Sequence, residues 1–360
     1  MTIFLLIIVL LAIVSLEFLY IVPTLGARPS GKSIDKIKQS KQYKDGVFVN
    51  SVETKIDTRQ PGESMRLITY IFPAKGKNPT KPLPSVEFDK TQFKTGNFVW
   101  FAHSTLMFRS NELTVLTDPV FHRATPLPIG YKPFPMSATP NIDLLPEIDV
   151  VVISHDHYDH LDHLSIRKLA TQVRVFLVPL GIRDHLIRWG VPDSNIIELD
   201  WYDTHNVDGT VFTLTPARHC SGRGVTHRNS TLWGSWVIKS QSCSIFYSGD
   251  SGYFEGFKSI GEQFGPFDIA FIENGAYDKL WSETHMQPEE SVQAAIDLNS
   301  KVYFPIHWGK FDLAHHQWNE PIDRVSRFAK ENNLRIAAPR IGQVFSLDSI
   351  PYETWWDNNL

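Results

Sequence analysis

From Asn97 onward the chain alternates short β-branched and aromatic runs with polar loops. The runs "NFVWF", "LTVLTD", "IDVVVIS", "VRVFLVP", "CSIFYSGD", "FDIAFIE" and "KVYFPIH" read as strands. Between them the apolar spacing lengthens toward a helical period over residues 161–170 and 182–189. A third helix begins at Pro288, with Glu289 and Glu290 in its first turn, where acidic side chains face the free backbone N–H groups. A fourth opens at Pro321 and runs to about Asn332. No internal repeat and no low-complexity tract interrupts the pattern. Strands and helices alternating in this way predict one α/β domain of mixed sheets over residues 65–360.

The N-terminus has a different texture. Residues 3–22, "IFLLIIVLLAIVSLEFLYIV", are broken only by Ser15 and Glu17. As a helix this stretch is about 30 Å long, enough to cross a bilayer core. It is apolar all round, unlike the one-sided stripe of a surface helix. A cleaved signal peptide would carry a basic start and a shorter apolar run, and "MT" supplies no charge. The pattern therefore predicts a single-pass N-terminal transmembrane helix. Arg28, Lys32, Lys36, Lys38, Lys41 and Lys44 follow it, which by the positive-inside rule places the catalytic domain on the cytoplasmic side. Residues 23–64 are polar and weakly patterned, and read as a linker with some local order.

Composition changes this picture little, with one exception. The net charge of −4 provides no basic field, so no nucleic acid is expected as a partner. Two cysteines, Cys220 and Cys243, make no disulfide framework. Nothing in the composition sets an oligomeric state. The exception is histidine: there are fourteen, and several stand beside carboxylates.

The densest group follows the strand "IDVVVIS", which is apolar on both faces and so predicted to be central. Directly after it come His155, Asp156, His157, Tyr158, Asp159 and His160. Ligands of α/β folds gather at that C-terminal edge. In an extended loop His155 and His157 point the same way, while Asp159 and His160 come from the turn into the next helix. The spacing offers two imidazoles to one cation and a carboxylate with an imidazole to a second. His219, Asp250 and His307 then end the runs "FTLTPARH", "SIFYSGD" and "VYFPIH". Five imidazoles and two carboxylates suit two zinc ions, with manganese or iron possible. A solvated hydrogen-bond network would explain any one of these histidines alone. It does not explain a His-x-His-x-Asp-His motif behind a buried strand together with three further strand-end ligands.

"SHDHYDHLD" resembles the signature of the metallo-β-lactamase superfamily, and the resemblance extends over residues 97–346. More narrowly, "WFAHSTLMF", "LTDPVF", "ELDWYD", "TPARHCSGR", "TLWGSWVI", "YSGDSGYF", "HMQPEESV" and "IHWGKFDLAHHQWNEP" resemble the branch that contains N-acylphosphatidylethanolamine-hydrolysing phospholipase D. The resemblance implies an αββα sandwich with metals at one edge. Carried over by position, it gives His155, His157 and His219 to one metal, Asp159, His160 and His307 to the other, and Asp250 to both.

In this chemistry a dinuclear site supplies a nucleophile from water at neutral pH. Asp159 or Asp250 would accept its proton. His285 would orient the phosphate or protonate the leaving oxygen, or else serve only the helix at Pro288. His103 and Asp118 are expected to fix ligand tautomers. His163 is expected on a helix surface, and His315 in a loop lining the pocket. The function expected is a membrane-anchored zinc phosphodiesterase acting on a phospholipid. Two other classes remain open: a hydrolase of a small soluble ester, lactone or phosphodiester, and a non-catalytic metal-binding membrane protein. A site kept only for structure would be closed by four ligands, which weighs against the last.

Overall fold

A computed structural model describes residues 22–58, 76–127, 129–224 and 228–357. The apolar span, except for its last residue, lies outside these residues, and so does the boundary expected at residue 65. Among the described residues no helix is long and apolar enough to cross a membrane.

Two sheets form the body of the domain. One has seven strands in the order β15-β3-β4-β5-β6-β7-β8. These are β3 Asn97–Trp100, β4 Leu106–Ser110, β5 Leu113–Thr117, β6 Val150–Val152, β7 Val175–Pro179, β8 Ile196–Leu199 and β15 Val344–Ser346. The other has six, in the order β14-β13-β12-β11-β10-β9. They are β9 Thr204–Val207, β10 Thr210–Thr215, β11 Ser235–Lys239, β12 Ser244–Tyr247, β13 Ile269–Glu273 and β14 Tyr303–Ile306. A small hairpin, β1 Tyr43–Lys44 with β2 Val47–Phe48, stands apart. Each large sheet is parallel through β5 to β8 or β12 to β14, and antiparallel elsewhere. All seven runs predicted as strands are strands.

Alternation along β6 accounts for the layering. Val150 and Val152 enter the core shared with Trp236, Phe246 and Phe271 of the second sheet. Val151 and Ile153 face the other way, onto Leu161, Ile166, Leu169, Ile182 and Leu186. Those residues belong to or flank helices α2 His163–Leu169 and α3 Arg183–Arg188. Helices α4 Gly256–Phe264, α5 Pro288–Asp297 and α6 Glu320–Glu331 follow the second sheet's strands and add their apolar faces to its core. The result is the expected αββα sandwich.

Helix α2 starts two residues later than predicted. His160 N–H and Leu161 N–H both donate to the His157 carbonyl, closing a turn, and Asp162 then caps Leu164 N–H at 3.0 Å. Helix α4 escaped notice because "GFKSIGEQF" carries two glycines, poor helix formers. Gly261 is there for contact: a Cβ on it would lie 2.2 Å from the Asp297 carbonyl at the end of α5.

Of the linker expected over residues 23–64, residues 23–58 are described and carry local order that packs on the domain. Helix α1, Gly31–Ile37, buries Ile37 fully, and its Ser33 hydroxyl bonds to Glu198. Phe48 is also fully buried, and its N–H donates to the Asn229 carbonyl. Two anchoring side chains eleven residues apart make no period in the sequence. The rest of the attachment is polar contact, which hydropathy does not register.

Candidate metal centre

Every predicted ligand lies at one edge of the sandwich, where β3, β5, β6, β10, β12 and β14 end. The loop after β6 is anchored at its first residue. Ser154 N–H donates to Asp118 Oδ1 at 2.7 Å and its hydroxyl to Oδ2 at 2.5 Å. The same Asp118 Oδ2 accepts from the Tyr247 hydroxyl at 2.6 Å and meets His160 Nδ1 at 2.7 Å. A carboxylate at the tip of the neighbouring strand thus fixes both ends of the motif. Gly249, at φ +56°, lets the second sheet approach here, since a Cβ on it would stand 2.4 Å from the Ser154 Cβ.

The side chains converge in two groups. In the first, His157 Nδ1 lies 2.9 Å from His155 Nε2 and 3.2 Å from His219 Nε2. Asp250 Oδ2 stands 3.7 Å from each of the latter two nitrogens. In the second, Asp159, His160 and His307 come together with His103, all offering atoms within 4.8 Å of one another. Asp250 Oδ1 is 3.1 Å from His160 Nε2 and 3.0 Å from His307 Nδ1. Each oxygen of Asp250 therefore faces one group.

The donor chemistry fits divalent cations. His160 Nε2, His307 Nε2 and Asp250 Oδ1 are buried without an aligned hydrogen bond, an arrangement that is costly unless something charged is shared among them. Burial, reinforced by neighbouring imidazoles, holds His155 well below the usual histidine range. Burial likewise depresses His219, His157 and His285. Neutral imidazoles are the ligand form. Burial would raise Asp250, but His160 and His307 outweigh it and keep the carboxylate ionised. His160 alone is pushed up, because Asp250 and Asp159 overcome its burial. A dication between those groups supplies the positive charge that a protonated His160 otherwise provides. The first group offers three imidazole nitrogens and a carboxylate, and the second the imidazoles of His160 and His307 with two carboxylates, sets that fit divalent cations such as zinc.

Supporting contacts orient the ligands. His219 Nδ1 donates to the Thr284 carbonyl at 2.9 Å, leaving Nε2 for the site. His103 Nε2 lies 3.0 Å from Asp159 Oδ2, and burial followed by the charge of His307 lowers its pKa to about 3. The backbones of His103 and His307 cross-link the sheets, His307 N–H donating to the His103 carbonyl and His103 N–H to that of Trp308. Both residues, with Asp118, adopt positive φ, a strain characteristic of functional sites.

His285 does not cap α5, whose preceding residue is Gln287. Its Nδ1 lies 3.0 Å from Glu273 Oε2, and its ring is 5.1 Å from that of His219 and 5.4 Å from that of His307. His163, expected on a helix surface, is buried against Trp189, and burial lowers its pKa to about 4. His315 is bound to Asp278; it is His316 that borders the cavity beside His307.

Three participants went unread in the sequence. Glu273 ends the strand "IAFIE", and an acid closing an apolar strand was a signal available there. It accepts from Met286 N–H at 2.7 Å, and burial followed by Asp250 raises its pKa well above the carboxylate range. Arg223, fully buried between Tyr158 and Trp189, donates to the carbonyls of Asp156, Leu161 and Thr24. Lys310 donates to the carbonyls of Phe101 and Val120. Carbonyl partners leave no mark in sequence.

A helix-flanked double sheet with two facing imidazole–carboxylate groups at one edge defines a metal-dependent hydrolase. Residues 114–308 match the family model of the beta-lactamase superfamily domain, and the chain belongs to the metallo-β-lactamase superfamily. Within that superfamily it is 38% identical over 333 residues to an uncharacterised protein of Mycobacterium tuberculosis, covering 89% of this chain and 88% of that protein. It is 30% identical over 266 residues to N-acyl-phosphatidylethanolamine-hydrolyzing phospholipase D 1 of Caenorhabditis elegans, covering 68% of this chain and 73% of the relative. Among solved structures it resembles Igni18, a metallo hydrolase from Ignicoccus hospitalis. That match has a TM-score of 0.53 and 19% identity, and covers 69% of this chain and 97% of the other.

Proposed function

We propose that the protein is a membrane-anchored dinuclear zinc phosphodiesterase. Its substrate on this reading is N-acylphosphatidylethanolamine, cleaved to phosphatidic acid and an N-acylethanolamine. The observation that carries the reading is the meeting of two ligand groups on the two oxygens of one buried carboxylate, Asp250. That is the arrangement a bridged pair of cations needs. The substrate class is supported by the Caenorhabditis elegans relative and by the apolar stretch at residues 3–22. Bound cations would supply Lewis acidity toward the phosphate and a nucleophile from water.

The chain's own part can be assigned from exposure. His155, His160, His219, Asp250 and His307 are almost wholly buried, whereas the Asp159 side chain is 16% and that of His285 14% exposed. Substrate therefore meets Asp159 and His285, with the partly exposed His157 beside them. His103 holds one Asp159 oxygen, and Asp159 stays ionised because His160 and His103 outweigh its burial. It is placed to take the proton of the attacking water. As the P–O bond to the ethanolamine side breaks, the departing oxygen needs a proton. Asp159 is placed to pass on the proton it has taken from water, and His285, kept neutral by burial and oriented by Glu273, to hold the departing oxygen by a hydrogen bond.

The test is hydrolysis by the zinc-loaded, full-length protein of three substrates: N-acylphosphatidylethanolamine in vesicles, a soluble phosphodiester and a lactone. Turnover of the first two, abolished by chelation, is expected. Turnover of the lactone alone discards the phosphodiesterase reading.

A further inference from the structure

Residues 48–58 run as a strap across the two loops that supply His219 and His285. At its start Phe48 is buried in the main core. Two residues on, the Asn50 amide pairs with both backbone groups of His219. Its Nδ2 donates to the His219 carbonyl at 2.8 Å, and its Oδ1 accepts from the His219 N–H at 3.0 Å. The Trp233 indole donates to the same Oδ1 at 3.1 Å. A side-chain amide thus does what a neighbouring strand would do, in a place where no strand is available.

Farther along, the strap grips the second loop. Lys55 N–H donates to Glu283 at 2.8 Å, and Thr58 bonds the carbonyls of Lys279 and Leu280. Arg218, the residue before His219, donates to Thr54, to the Glu53 carbonyl and to Glu283. The His219 imidazole is itself tied to Thr284, next to Glu283. Both ends of that tie are therefore held by one peptide that belongs to neither large sheet. Without Asn50 the His219 backbone N–H and C=O lose their partners, and the ring can shift while still bonded to Thr284.

We propose that Asn50 is a positioning residue for the metal centre, setting where His219 Nε2 stands in the first ligand group. The proposal rests on His219 being a ligand. It differs from a general contribution to stability because it acts at one ligand group, so zinc affinity is the discriminating readout.

The experiment titrates zinc into the full-length protein against a chromogenic chelator, with melting temperature measured alongside. Asn50→Ala is compared with Asn50→Asp, with His219→Ala and with Ile37→Val, which trims a fully buried side chain outside the ligand set. The expected result is that Asn50→Ala weakens one zinc equivalent by about ten- to a hundredfold, the scale for losing an outer partner of a ligand. Asn50→Asp, which keeps the acceptor for the His219 N–H, loses less. Ile37→Val lowers the melting temperature without weakening zinc. If His219→Ala leaves zinc affinity unchanged, the ligand assignment falls and the proposal with it. If His219→Ala weakens zinc but both Asn50 variants bind as the wild type does, the proposal alone is overturned. Equal loss in Ile37→Val and Asn50→Ala also overturns it, by making the effect one of stability.

Discussion

Replacing Asp250 by asparagine is the sharpest perturbation of the centre. The side chain keeps its shape and its place after β12, but a full negative charge is lost at a point 3.0 to 3.7 Å from four ligand nitrogens. An amide also has only one acceptor atom, so its N–H end must turn toward one of the two groups and oppose a cation there. The native carboxylate is ionised in a fully buried setting only because His160 and His307 face it. Asparagine carries no charge to balance a second dication in that space. The variant should therefore hold one zinc where the wild type holds two. Turnover of a soluble phosphodiester should fall at least about a hundredfold, equivalent to about 2.7 kcal/mol of transition-state stabilisation. Elemental analysis after gel filtration gives the stoichiometry, and initial rates at saturating zinc give the turnover. Two tightly held zinc ions with wild-type turnover would refute the bridge and reduce Asp250 to a polar strand end.

Other expectations follow from single contacts. Glu273→Ala removes both the group bonded to His285 and the acceptor for Met286 N–H. Zinc content should be unchanged while phosphodiester turnover drops at least about tenfold, and unchanged turnover would remove His285 from the chemistry. Lys310 is pushed down from 10.5 to about 7 by burial. The unfolded chain then binds a proton that the native state lacks between those values, so stability rises with pH across that window and the full penalty remains below it. The wild-type melting temperature should climb relative to Lys310→Met from pH 7 to pH 10, and parallel curves would contradict the depressed pKa. A chain beginning at residue 22 keeps the contacts of Pro23, Thr24 and Ala27 with Trp189, Arg223 and His185. It should bind two zinc ions and cleave a soluble phosphodiester normally, yet lose rate on lipid in anionic vesicles, more so as salt screens residues 28–44. Equal lipid turnover with and without residues 1–21 would exclude a role for the apolar segment.

What could be read in the sequence was whatever depends on a local period or on a side chain at a strand end. "IDVVVIS" announces a central strand because both faces are apolar, and the dense polarity of His155 to His160 behind it announces a candidate ligand loop. His219, Asp250 and His307 were legible for the same reason. Contacts made to or by the backbone were not. Asn50, Arg223 and Lys310 recognise carbonyls or N–H groups, which every residue carries, so their spacing from their partners is arbitrary. β9, with the polar sequence "THNV", and β15 lie at sheet edges and show too little apolar alternation to stand out. His163 was misplaced because its burial depends on α3 and Trp189, which are distant along the chain.

The two ligand groups also explain why the sandwich must be assembled before the centre exists. His155, His157, Asp159 and His160 come from the first sheet, and His219, Asp250 and His307 from the second. Neither group is complete on one sheet: the first needs His219 and Asp250 beside His155 and His157, and the second needs His307 beside Asp159 and His160. The seam between sheets is closed by backbone hydrogen bonds between His103 and the segment His307–Trp308, and by the close approach of Gly249 to Ser154. Those contacts lie among the ligands themselves, so an error in sheet packing is an error in ligand distance. The strap at residues 48–58 adds a third element to the seam, pinning the loop of His219 to that of His285. A carboxylate that faces both groups, and imidazoles kept neutral by burial, then leave negative charge at the seam for a protonated His160 or bound cations to balance.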